Sequence, residues 1–235
     1  MTLQNIRQKL QTLGNKEDAA FHQRFFKTGP GEYGEGDVFL GVRVPELRKL
    51  VKQYPDAGLK EARQLLISPI HEERLLALLI LVREFSREND GAKKRIYEFY
   101  LAKTRYINNW DLVDSSAEHI VGAFLMDKDK APLYQLARSN SLWERRIAIM
   151  ATFHFIKHMA FSETLKISKI LLQDEHDLIH KAVGWMLREI GKRDMQTEEK
   201  FLKSRYGRMP RTMLRYAIEK FPETKRQAYL KGTIK

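Results

Sequence analysis

Apolar residues return along this chain at steps of three and four almost throughout, beginning with Leu3, Ile6, Leu10 and Leu13. That period lines one face of an α-helix. No run of the sequence alternates cleanly between apolar and polar positions as a half-buried strand would. Prolines punctuate the pattern at Pro45, Pro132, Pro210 and Pro222, each followed by a helical stretch. This suits a residue tolerated in a first turn and excluded from a helix interior. The pattern predicts helices of roughly 10 to 18 residues with short joins.

Five of these segments can be aligned with one another: HEERLLALLIL from His71, WDLVDSSAEHIV from Trp110, WERRIAIMATFHF from Trp143, HKAVGWMLREIG from His180 and PRTMLRYAIEKF from Pro210. They start 39, 33, 37 and 30 residues apart. A degenerate period in this range fits helix pairs of the HEAT or armadillo kind, stacked so that each buries its neighbour's apolar face. The expected fold is all-α, a superhelical stack of HEAT-like helix pairs, with residues 1–235 as one domain. An irregular helical bundle is the alternative that spacing leaves open.

The periodicity breaks at residues 29–41, GPGEYGEGDVFLG, which hold five of the 13 glycines. This must be a loop. It lacks the Gly-Lys-Ser/Thr ending of a nucleotide-binding P-loop, and Glu32, Glu35 and Asp37 would repel phosphate. A connector ordered by the packing of Tyr33 and Phe39 is expected.

Charge narrows the choice of partner. The chain carries 42 Lys+Arg against 30 Asp+Glu, a formal charge of +12. Residues 180–235 hold 15 basic and 6 acidic side chains, so most of the excess lies in that last stretch. Phosphate-rich partners are favoured, although a basic end also serves merely as a solubilising face. The hydrophobic content of 43% suffices for a continuous core. The absence of cysteine excludes disulfides, thiol nucleophiles and thiolate metal sites. The opening MTLQNIRQKL has neither a charged lead nor a long apolar stretch, and the longest apolar run, 75–82, is too short to span a bilayer, so a soluble, cytoplasmic protein with no membrane partner is expected.

Three sets of residues carry candidate chemistry. In NNWDLVDSSAE, residues 108–118, Trp110 and Asp114 stand four apart and share a face if the segment is helical. The plain alternative is that Asp111 and Asp114 are first-turn carboxylates favoured by the helix dipole. Trp143 leads into Arg145 and Arg146, and Trp185 precedes Arg188 by three residues. Trp143 is expected in the core, whereas Trp110, after two asparagines, and Trp185, after Gly184, suit exposure in a groove. His154 with His158, and His176 with His180, are two i,i+4 pairs of metal-chelating spacing with Asp177 nearby, but neither has the H-E-x-x-H form, and His71-Glu72 lacks the second histidine. No metal is expected, and the four histidines read as polar surface.

The segments FLGVRVPELRKL, NNWDLVDSS, LWERRIAI and KAVGWMLRE, in that order from Phe39, resemble the AlkD family of DNA alkylation-repair glycosylases, with the likeness running to about Phe221. The resemblance implies a superhelical domain whose concave basic surface holds duplex DNA and which removes cationic N3- or N7-alkylated purines without a cofactor. It further implies that Asp114 is the catalytic carboxylate, that Trp110 and Trp185 are paired active-site tryptophans, and that Arg146 and Arg188 contact DNA. Arg145 and Lys181, beside them in the same motifs, are further candidate DNA contacts. A monomer suits such a surface.

The implied chemistry is sound in itself. An alkylated N3 or N7 purine is already positive, so its glycosidic bond breaks without a general acid, and the remaining task is to stabilise the positive deoxyribose and to orient water. An ionised Asp114 would do both. Each indole face would add about 0.5–2 kcal/mol of cation attraction. A catalytically silent DNA-binding protein and a helical-repeat scaffold for protein partners are the rival functions.

Overall fold

The computed structural model describes residues 2–234. Among these the chain is all-helical, and the single β feature is an isolated parallel bridge between Val38 and Ile70. The residues group into two compact units, one ending at Ile120 and the other beginning at Val121.

The first unit contains α1 (Thr2–Leu13), α2 (Lys16–Phe25), α3 (Val44–Gln53), α4 (Leu59–Leu65), α5 (His71–Arg87), α6 (Asp90–Ala102) and α7 (Trp110–Asp114). α5 is its centre and packs against α3, α4, α6 and α7. Every residue of α5 from His71 to Leu81 is buried, so this helix is covered on all sides rather than along one stripe. Its first turn, His71, Glu72, Glu73 and Arg74, is therefore a buried charged turn, which is stable only if each charge finds a partner.

Those partners come from distant segments. The Glu72 carboxylate accepts the backbone N–H groups of Leu40, Gly41 and Val42 at 3.0, 2.8 and 3.2 Å. Arg7 of α1 donates to Glu73 at 3.1 Å. Arg74 donates to Ser68 O at 2.9 Å and to Asp37 Oδ1 at 2.6 Å. The loop at 29–41 is thus organised by α5. Its Gly41 has φ +80°, and a Cβ there would lie 2.1 Å from Asn15 O, so no other residue fits.

The second unit holds α8 (Ala123–Leu125), α9 (Ala131–Ala137), α10 (Leu142–Lys157), α11 (Ser162–Ile170), α12 (Asp177–Gly191), α13 (Met195–Lys203), α14 (Arg211–Ala217) and α15 (Glu223–Lys231). α10, α12 and α14 pack side by side as one row, and α9, α11 and α13 pack against that row. This is the helix-pair stacking that the repeat spacing predicts. Pro132 lies in the first turn of α9, and Pro210 and Pro222 immediately precede α14 and α15. At Gly184 the row closes tightly, because a Cβ would stand 2.4 Å from Met213 O on α14.

Candidate functional site

The short α7 is built to hold its two ends still. Asn109, fully buried with extended backbone, caps it by accepting the Trp110 N–H at 2.8 Å. Asp111 accepts the Leu112 N–H at 2.9 Å on one carboxylate oxygen, and its other oxygen lies 2.8 Å from His71 Nε2. His71 Nδ1 is 2.9 Å from Asp37 Oδ2, whose second oxygen receives Arg74. The result is a buried chain, Arg74–Asp37–His71–Asp111, that ties the glycine-rich loop, the start of α5 and α7 together.

Burial alone would push the His71 imidazole down from 6.5, but Asp111 and then Asp37 outweigh it and raise it to about 9. His71 is thus an imidazolium that donates from both ring nitrogens. Asp37 is held below the usual carboxylate range: burial opposes this, and His71 and Arg74 overcome it.

Aromatic rings continue the scaffold to Trp110. Phe39 stacks on His71 with centroids 4.5 Å apart, Phe26 stacks on Phe39 at 5.1 Å, and Trp110 stacks on Phe26 at 5.2 Å. Phe25 meets Trp110 edge-on at 5.9 Å. Trp110 is half-buried, so part of the indole stays accessible at the end of this ring stack. Asp114, also half-buried, ends α7. Beneath it the buried Tyr100 hydroxyl lies 2.9 Å from Ser116 Oγ, and its pKa is raised by burial and further by the Asp114 charge.

In the second unit, Lys181, Trp185 and Arg188 form one half-buried stripe on α12. The Trp185 ring lies 6.1 Å from Phe153. Lys181 pairs with Asp177 at 2.6 Å, and Arg188 donates to Glu219. Arg145 is committed to Asp174 at 2.6 Å and to the carbonyls of Ser139 and Asn140. Arg146 is buried and donates to Leu178 O at the start of α12. The four cations selected from the sequence therefore all hold partners inside this unit. Trp143, expected in the core, is half-buried in the first turn of α10.

The glycine-rich loop and the histidines complete the comparison with the sequence. Of the acidic residues in the loop at 29–41, only Asp37 is withdrawn from the surface, whereas Glu32 and Glu35 are exposed. Asp37 is buried in the network, and Glu32 and Glu35 accept the backbone N–H groups of Gly29 and Gly31, both at 2.9 Å. Phe39 is buried, as expected of an ordering residue, whereas Tyr33 is half-buried. Among the described residues no group of three or more His, Asp or Glu side chains could hold a metal ion. Instead His158 Nδ1 lies 2.8 Å from His154 O, His176 Nδ1 accepts the Leu178 N–H at 3.1 Å, and His180 bonds to Asp174 O.

The residues that sequence reasoning missed are His71, Asp37, Arg74, Phe26 and Phe25. A signal existed for the first of them: four consecutive charged residues, HEER, run directly into eight apolar ones. Charges abutting such a run on a fully covered helix must be paired.

A model of the family described as DNA alkylation repair enzyme matches residues 6–221. The chain belongs to the DNA alkylation repair enzyme family. The DNA alkylation repair fold recurs in solved structures. One is a "Predicted DNA alkylation repair enzyme from Enterococcus faecalis", 18% identical, with a TM-score of 0.68 over 89% of this chain and 97% of the other. Another is smu.31 from Streptococcus mutans UA159, 18% identical, with a TM-score of 0.50 over 86% of this chain and 90% of the other. Comparison with curated proteins returned no match. Membership of the family assigns this DNA alkylation repair protein an enzymatic role in repair and DNA as its substrate. Among the described residues no helix is long and apolar enough to cross a membrane.

Proposed function

We propose that this family member is a monofunctional DNA glycosylase of the AlkD type, which hydrolyses the N-glycosidic bond of cationic N3- or N7-alkylated purines in duplex DNA. The observation that carries this reading is α7 itself. A half-buried indole and a half-buried carboxylate stand at the two ends of a five-residue helix whose first turn is fixed to a buried imidazolium. Such anchoring is what a preorganised electrostatic site requires.

In the proposed reaction the C1′–N bond breaks heterolytically. Its electron pair returns to the purine, which leaves neutral, and the deoxyribose becomes oxocarbenium-like beside the ionised Asp114. Water adds at C1′, and its proton passes to Asp114 or to solvent. Trp110 offers its π-face to the same positive sugar, and Trp185 is proposed to act in the same reaction. Arg188 and Lys181, and at the base of their helix Arg145 and Arg146, are proposed to take or order the phosphate contacts. No metal or cofactor enters these steps, and the stacked pairs α9–α14 are read as HEAT-like repeats of a monomeric, cytoplasmic protein.

A second reading, a silent DNA-binding protein, draws support from the internal pairing of Arg145, Arg146 and Arg188. Release of 7-methylguanine and 3-methyladenine from methylated duplex DNA separates the two. Wild type should release both. Asp114→Asn should keep DNA binding and lose about 100-fold or more in rate, the size expected for removing one such electrostatic group. Equal release by the variant removes Asp114 from the mechanism, and no release by wild type leaves the silent reading.

A further inference from the structure

α11 and α13 flank a second feature that this function does not use. A groove of about 540 Å³ is lined by Leu165, Lys166 and Lys169 on one side and by Thr197, Lys200, Phe201, Ser204 and Arg205 on the other. Among these residues there are four cations and no carboxylate. The inward faces of the two helices, with Thr164, Ile167 and Ser168 on α11 and Glu198 and Leu202 on α13, are buried, so the groove opens on their other side. None of the side chains proposed above for DNA lines it.

The charges in this groove are short of counter-charges. Lys166 shares Glu163, which lies 2.8 Å away outside the lining. Arg205 donates only to neutral oxygens, Phe201 O at 3.0 Å and Ser204 Oγ at 2.7 Å. Lys169 and Lys200, exposed on opposite walls, have no carboxylate partner among the described residues. Elsewhere in the same unit comparable lysines are paired, Lys192 with Glu189 at 2.6 Å and Lys225 with Glu199 at 2.9 Å. Like charges gathered around one concavity repel one another until an anion enters.

The shape and chemistry restrict that anion. The volume lies within the range of small-molecule sites, roughly 300–1,000 Å³. Phe201 is buried and its ring is already covered by the Arg205 guanidinium at 4.5 Å, so the groove lacks the open aromatic platform on which single-stranded bases stack. The Thr197 hydroxyl is committed to Asp194 at 2.5 Å, whereas Ser204 accepts from Arg205 and keeps its own O–H to donate. What is offered is ammonium, guanidinium and hydroxyl donors, the set that suits clustered phosphate oxygens.

We infer that the α11–α13 groove binds a small polyphosphate anion, held between Lys169 and Lys200 with Lys166, Arg205 and Ser204 completing the contacts. The anion is either inorganic or the phosphate tail of a nucleotide. Calorimetric titration of the full chain with tripolyphosphate and with adenosine triphosphate, near physiological ionic strength, tests this. Saturable one-to-one binding is expected. The Lys169→Ala/Lys200→Ala variant should bind about tenfold more weakly, and Lys203→Ala, an exposed lysine outside the groove, should bind as wild type does. Equal affinity for the two probes assigns an inorganic ligand, and tighter binding of adenosine triphosphate assigns a nucleotide. Absence of saturable binding at about 1 mM overturns the inference, as does undiminished binding by the double variant or an equal loss in Lys203→Ala. A short single-stranded oligonucleotide that binds more tightly than both probes and depends on the same two lysines also overturns it.

Discussion

His71 Nε2 lies 2.8 Å from Asp111 Oδ2, so the helix that carries Trp110 and Asp114 is anchored to a buried positive charge on the first turn of α5. The bond joins residues 40 positions apart, and its counterpart to Asp37 spans 34. Removing the imidazole leaves the buried Asp111 without its charged partner and Asp37 with Arg74 alone. His71→Gln is expected to cost about 3–5 kcal/mol in urea unfolding, the usual consequence of deleting one partner of a buried ionic network.

The same residue sets a pH dependence. Its folded pKa of about 9 stands above the ordinary 6.5, so the stabilisation is complete below about 6.5 and is lost as pH rises through about 9. The wild-type urea midpoint should fall over this window, and His71→Gln should lack that component of the fall. A wild type whose midpoint stays level there would contradict a charged His71.

Glu198 makes a separate contribution on α13. Burial pushes it up to about 9, aided by the Glu199 charge and opposed by Arg188. It is therefore a neutral acid in the fold, and the unfolded chain ionises above about 4.5. Stability is drained as pH climbs from about 4.5 to 9. Glu198→Gln should melt higher than wild type at about pH 8 and equally at about pH 4. An unchanged difference between the two pH values would show that Glu198 is charged in the fold.

Gly184→Ala places a methyl group where the α14 backbone already stands, 2.4 Å from Met213 O. The row α10, α12, α14 must then spread, at a cost of about 1–3 kcal/mol typical of overpacking. Thermal melting would read this directly, and a neutral substitution would show that the two helices part freely.

For Arg188 to take a phosphate as proposed, it must give up Glu219, whose carboxylate occupies its guanidinium. Glu219→Gln should tighten duplex binding, and Arg188→Ala should weaken it and reduce the salt slope by about one. Salt titrations of all three proteins measure this, and identical slopes would remove Arg188 from the phosphate contacts.

The helices around Trp143, His180 and Pro210 were legible because apolar spacing is local: each segment carries its own period. The four-residue step from Trp110 to Asp114 was legible for the same reason. The Arg74–Asp37–His71–Asp111 chain was not, since its members are polar residues in three separate segments whose pairing is decided by folding. Asp37 in a glycine-rich loop looks like surface, and HEER looks like a solvated helix start. Only the burial of α5 from His71 to Leu81 on every side turns those charges inward. The roles of Arg145 and Arg146 were obscured likewise, because spacing records that they follow Trp143 but not that Asp174 and Leu178 are within reach.

That buried network also governs the order in which the protein can be made. Residues 37, 71, 74 and 111 must all be present before the buried ionic chain is complete, so seating α5 without α7 is expected to be unfavourable. On a ribosome, the segment up to Tyr106 would emerge with His71 still lacking Asp111, and the unit is expected to close only once Asp111 has cleared the exit tunnel. A chain stalled short of that point is expected to remain protease-sensitive, and one released just beyond Ile120 to become resistant as a unit.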